Sequence, residues 1–135
     1  MHQPEHADVA TYRATADAFR ARDLDAINEL IHEQVVWHIP GDSWLSGEVR
    51  GRSEALAFLE RLVAKTNGSF ILEDVHVLGN EDHVLTVQRI GGTFEGQTNV
   101  FDMVTVIRFE DGKQRERWFH FLDQEEMDRF MSLFD

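Results

Sequence analysis

The feature that most limits what this chain can fold into is a change of hydrophobic period at Asn67-Gly68. Before it, apolar residues recur at spacings of three and four; after it, they alternate in short runs separated by turn pairs. Helical period first and strand period second segregates helices from an antiparallel sheet, which is an α+β arrangement.

The first half resolves into separate elements. Val9, Tyr12, Ala16 and Phe19 mark an amphipathic helix from about residue 5 to 22, with Pro4 suited to its first turn. Asp23 is placed to cap a short second helix burying Leu24, Ile27, Leu30 and Ile31. Val35, Val36, Trp37 and Ile39 form a short strand that Pro40-Gly41 ends. Residues 42–52 read as a loop with Gly47 and Gly51, in which Trp44 is the odd member. Ser53 caps a third helix carrying Leu56, Phe58, Leu59, Leu62 and Val63, and Asn67-Gly68 closes it.

Strands are expected at 69–78, 83–90, 98–109 and 114–122. Gly79-Asn80-Glu81-Asp82, a Gly91–Gly96 stretch and Glu110-Asp111-Gly112-Lys113 join them, and Asp-Gly between two β-like runs is a hairpin signal. Asp123, with Glu126 three residues on, is a capping box for a last helix bearing Met127, Phe130, Met131 and Phe134. The expected order is ααβαββββα.

A length of 135 residues, 42% apolar and 28% charged, suits one globular domain over 1–135. The chain has no cysteine, which excludes disulfides, thiolate nucleophiles and sulfur-ligated zinc. With 25 acids against 13 bases the formal charge is -12, and the dispersed bases offer nothing to neutralise phosphates. Nucleic acid and anionic membrane surfaces are therefore not expected partners. No apolar stretch approaches the roughly 20 residues of a membrane span. The N-terminal residues lack a signal-peptide pattern, so a cytoplasmic protein is expected.

Phe19 followed by RDLDAINELI, then VVWHIPGDSWLSGEVRGRSEALAFL, then RFEDGKQRERW with Asp123 beyond, occur in an order and spacing that resembles the NTF2-like superfamily, in its SnoaL-like and ketosteroid isomerase-related branch. The resemblance covers nearly the whole chain. It implies a cystatin/NTF2-like cone: three helices from the N-terminal half packed on a strongly curved antiparallel sheet, a short C-terminal helix, and an apolar pocket open at one end. It also implies a homodimer packed through the outer sheet face. Its members include isomerases, cyclases, dehydratases, epoxide hydrolases and binding modules, so residues must decide function.

The reactive positions of these branches are largely substituted. The steroid isomerase base matches Ile39, its oxyanion Tyr falls near Thr15 with Tyr12 one turn earlier, and its protonated Asp falls near Thr105. The polyketide cyclase Asp matches Phe119, with Asp123 four residues on and otherwise readable as a helix cap. For the Asp–Arg–Asp relay of the epoxide hydrolases, Arg89, Asp102 and Arg117 supply the residue types.

Strand alternation then gives a pocket-facing set. If Thr105 faces inward, so do Phe101, Met103, Ile107 and Phe109; Thr86, Gln88 and Ile90 follow on the neighbouring strand, and Arg117, Phe119 and Phe121 on the last. Trp118 and His120 then face outward. His38 is an acid–base candidate, because imidazole titrates near neutrality, or else a hydrogen-bonded residue at the sheet edge. Trp37 and Trp44 would floor and lid a ligand, with core packing the alternative for Trp37.

The candidate catalytic groups are thus His38, Arg117 and Asp123. The candidate ligand contacts are Tyr12, Phe19, Trp37, Trp44 and Phe58 from the first half. From the strands they are Thr86, Gln88, Phe101, Met103, Thr105 and Phe119. Of the seven histidines only His2 and His6 share helical metal-pair spacing, and no Gly-rich phosphate loop precedes a helix, so neither metal nor cofactor is expected. Two functions remain: a pocket that binds or transforms a small lipophilic molecule by cofactor-free acid–base chemistry, or a non-catalytic ligand-binding or dimerisation module.

Overall fold

A computed structural model describes residues 6–80 and 82–134. Pro4, His2 of the His2–His6 pair and Glu81 of the connection after Gly79 lie outside the described residues. The elements are α1 (Ala7–Arg20), α2 (Leu24–Leu30), β1 (Ile31–Ile39), β2 (Gly47–Arg50), α3 (Arg52–Lys65), β3 (Ile71–Gly79), β4 (His83–Phe94), β5 (Gln97–Glu110), β6 (Lys113–Phe121) and α4 (Gln124–Ser132).

The caps follow the side chains closely. Asp23 accepts from the Ala26 amide at 3.1 Å and Asp123 from the Glu126 amide at 3.0 Å, each satisfying an otherwise orphan donor of the first turn. Ser53 is not a cap. Gly51 holds that position at φ 92, so α3 starts two residues earlier and leaves Ser53 inside its first turn. In α2 only Ile27 is buried; Leu24 is 48% exposed, and Ile31 has already turned extended to open β1.

Part of the expected loop is strand, since Gly47–Arg50 pairs antiparallel with β1. The Gly91–Gly96 stretch is not a loop either: β4 runs to Phe94 and turns at Glu95-Gly96, both at positive φ. A Cβ on Gly91 would lie 1.9 Å from the Asn99 carbonyl oxygen, so glycine here permits close strand approach and makes no turn. The Asp111-Gly112 hairpin forms as expected, with φ of 54 and 74.

The six strands lie in the order β2-β1-β6-β5-β4-β3. The sheet is antiparallel, as expected, with one parallel pair where β1 runs beside β6. Three successive antiparallel pairings bring the last strand back beside the first in the same direction. α1 packs Val9, Tyr12 and Ala16 on Val84 and Ile107, while α2, α3 and α4 close over the rest of the inner face around Trp37. No helix among the described residues is long and apolar enough to cross a membrane.

Candidate ligand cavity

Alternation along β4, β5 and β6 buries Thr86, Gln88, Met103, Thr105 and Arg117 on the inner face. On the outer face, Leu85, Val87, Val100 and Trp118 are exposed. Between the inner face and the helices lies a cavity of about 80 Å³. That is room for several water-sized groups, each needing roughly 10–15 Å³. Its walls are mainly apolar, with Trp37, Phe58 and Phe119 at one side and Phe19, Ile27 and Leu59 toward the helices. Those last three also border a second cavity, of about 240 Å³, between α1–α2 and α3. The rings are held edge-on: Trp37 meets Phe58 at 6.0 Å and Phe119 at 6.2 Å.

One charge faces this apolar space. Arg117, 9% exposed, stands 4.8 Å over the Phe119 ring and 5.5 Å over that of Tyr12. Its Nη2 donates to Gln88 Oε1 at 3.1 Å, and Nε and Nη2 donate to Thr105 Oγ1 at 3.3 and 3.2 Å. Thr105 in turn meets Thr86 at 2.5 Å. These partners are all neutral, and among the described residues no carboxylate pairs with the guanidinium.

The network continues away from the cavity. Gln88 Nε2 donates to the Tyr12 hydroxyl at 2.6 Å, Tyr12 donates to Asp74 Oδ1 at 2.7 Å, and Arg20 reaches Asp74 Oδ2 at 3.2 Å. Burial pushes the Tyr12 phenol up to about 12, against the opposing pull of Arg117. For Asp74, burial acts to raise the carboxyl, but the hydrogen bonds donated by Gln88, Tyr12 and Arg20 outweigh it and hold it below the ordinary value. Tyr12 is therefore neutral and commits its proton to an ionised Asp74. Tyr12 and Arg117 are the titratable side chains lining the cavity.

The expected site residues divide accordingly. Tyr12, Phe19, Trp37, Phe58, Met103, Arg117 and Phe119 line the cavity. Gln88, Thr86 and Thr105 lie behind Arg117 and hold it. Phe101 packs at 5.4 Å on Phe130 of α4, away from the lining. Trp44 is no lid: its indole N–H donates to the Met131 carbonyl at 2.8 Å, and Lys65 lies 5.1 Å over its ring.

Two of the three catalytic candidates are outside the cavity. Because Trp37 takes the inward position of β1, His38 faces outward, 2.7 Å from Glu116 and 3.2 Å from Glu48, stacked on Trp118. The His38 bond, aided by Arg108, holds Glu116 below its ordinary value despite some desolvation. Asp123 is exposed and occupied in capping α4. Arg89 and Asp102 pair at 3.9 Å on the outer face, so they form no relay with Arg117.

Two residues of the cavity and its network escaped the sequence reading. Asp74 is bonded to a tyrosine 62 positions away, with no local pattern to announce it. Gln114 lines the cavity at 1% exposure because a register shift between Arg108 and Phe109 brings it inward together with Arg117. Parity with Thr105 alone places it outward.

A sheet wrapped on helices in this way is the NTF2-like, or cystatin-like, fold class. The profile of the SnoaL-like domain matches residues 12–117, and the chain belongs to that family. A solved structure similar to it, Bal32a from a soil-derived mobile gene cassette, is 28% identical over 93% of this chain and 96% of its own, with a TM-score of 0.87. A cystatin-like protein of unknown function from Xanthomonas campestris is 26% identical over 92% of this chain and 97% of its own, at 0.82. An NTF2-like protein of unknown function from Burkholderia pseudomallei is 25% identical over 94% and 98%, at 0.78. Comparison with curated proteins gives no match.

Proposed function

We propose that this chain binds a small lipophilic, ring-bearing molecule in the inner cavity. The observation that carries this reading is a preformed apolar space walled by aromatic rings and served by a few fixed polar groups, the common make-up of small-molecule sites. Native mass spectrometry before and after denaturing extraction, followed by a thermal-shift screen of steroid-like, terpenoid and aromatic polyketide compounds, tests it. A ligand that binds only the native state raises stability in proportion to its concentration. No bound mass and no shift across the panel contradicts the reading.

One observation favours a second reading, cofactor-free proton transfer on the bound molecule. Tyr12 lines the cavity with its proton already on ionised Asp74, the arrangement of a base acting through a hydroxyl: the phenol oxygen accepts a proton as Asp74 takes the phenol's own. Turnover lost in Tyr12→Phe with ligand affinity retained supports it; binding without turnover in the wild type opposes it.

For assembly we propose a homodimer through the outer sheet face, where Leu78, Leu85, Val87, Val100 and Trp118 are exposed together. Light scattering that gives a monomer mass at micromolar concentration contradicts it.

A further inference from the structure

Three buried polar atoms have no hydrogen-bond partner among the described residues: Trp37 Nε1 and both side-chain atoms of Gln114, Nε2 and Oε1. Trp37 is 4% exposed and Gln114 1% exposed, and both residues line the same cavity as Arg117. Trp37 and Arg117 are moreover register partners on the adjacent strands β1 and β6. Unpaired buried polar atoms are rare and costly, and a guanidinium held by neutral oxygens alone is costlier still. Here the three residues border one apolar space.

That arrangement specifies a ligand. Uncharged partners such as water can meet an indole N–H and an amide, but they bring no charge to offset the guanidinium in a low-dielectric setting. Trp37, Phe58 and Phe119, edge-on to one another, give the cavity an aromatic wall. Resting on the pocket reading above, we propose that the cavity takes a lipophilic anion, an apolar ring carrying a carboxylate, phenolate or enolate oxygen, with that oxygen on Arg117. Trp37 Nε1 and Gln114 bond its remaining polar atoms.

The formal charge of -12 does not oppose this. Exposed carboxylates are screened beyond about 8–10 Å at physiological salt, whereas the buried guanidinium acts at contact distance. Asp74, the nearest carboxylate of the network, already answers to Arg20, Tyr12 and Gln88.

Calorimetric titration at neutral pH with benzoate and 2-naphthoate, against the neutral amides benzamide and 2-naphthamide, tests the proposal on the intact protein. The acids should bind the wild type at least about tenfold more tightly than their amides, the size of a charge-assisted contact. In Arg117→Met, shown folded by circular dichroism, that preference should vanish while amide affinity stays within about threefold. Gln114→Leu should weaken both classes and keep the preference. Should Arg117→Met fail to fold, the acid–amide comparison on the wild type still decides. Equal binding of acid and amide, or a preference that survives Arg117→Met, overturns the anion proposal and leaves the pocket reading standing. Binding by none of the four probes overturns the anion proposal; only when the steroid-like, terpenoid and polyketide panel also gives nothing does the pocket reading itself fall.

Discussion

β1 and β6 carry two charged sites on opposite faces of the same few residues, and the two are built differently. On the outer face His38 sits between Glu48 and Glu116, Arg108 assists Glu116, and all are partly open to water. On the inner face Arg117 has, among the described residues, neutral partners only and is walled by rings. In the outer cluster each carboxylate has an arginine, Arg108 for Glu116 and Arg50 for Glu48. The inner charge is complete only in hydrogen-bond terms, and its neighbours Gln114 and Trp37 are not complete even in those. Exposed ion pairs cost little to keep and contribute little, whereas a buried cation without an ionic partner is kept at a stability cost, which is the ground for the binding role proposed for it. Of the two candidates, His38 faces the outer cluster and Arg117 faces the cavity.

Substitutions on the two faces should separate sharply. Met103→Ala, at 1% exposure on the inner face, should cost about 2–5 kcal/mol in denaturant unfolding. Val100→Ala, 46% exposed on the outer face, should stay within about 0.5 kcal/mol in the monomer. Comparable losses would dissolve the distinction between the faces. Next in size is Tyr12→Phe, which removes the acceptor of Gln88 and a donor to Asp74 and should cost about 1–3 kcal/mol. An unchanged unfolding midpoint would mean that the network adds nothing to the fold.

Tyr12 is the chain's single tyrosine, so its phenolate absorbance reports this site alone. The band should appear with a midpoint near 12, and stability linked to Tyr12 should be present below pH 10 and lost as pH rises toward 12. A midpoint at 10 contradicts its burial in the network. Asp74 works at the other end of the scale. Its contribution is present above pH 3.8 and lost as pH falls through its lowered native value, and Asp74→Asn should flatten that acid limb. The smallest effect is expected for His38→Ala: less than about 1 kcal/mol, shrinking with added salt, with ligand affinity unchanged. A loss of binding there would return the outer face to the site.

Much of this was legible from alternation alone. Thr105 inward carries Met103, Thr86, Gln88, Arg117 and Phe121 with it, and all are buried. Alternation failed where the backbone departs from it. The register shift before Phe109 turns Gln114 toward the cavity, and bulges leave no reliable mark in side-chain chemistry. β2 hides because a four-residue strand with one buried side chain, Val49, has too little pattern to show. Gly91-Gly92 imitates a turn because glycine serves close strand packing as well as chain reversal. Trp44 looked like a lid because its partner, the Met131 carbonyl, lies 87 residues away. Asp74 was missed for the same reason: contacts across the fold are set by tertiary packing and not by neighbours in sequence.

The most direct test of the ligand cavity is a crystal structure of the protein grown with 2-naphthoate. The ring should lie between Trp37, Phe58 and Phe119, with the carboxylate in hydrogen-bond reach of Arg117. A ligand seated on the outer face beside His38, or an inner cavity that stays closed to it at saturating concentration, would contradict the account.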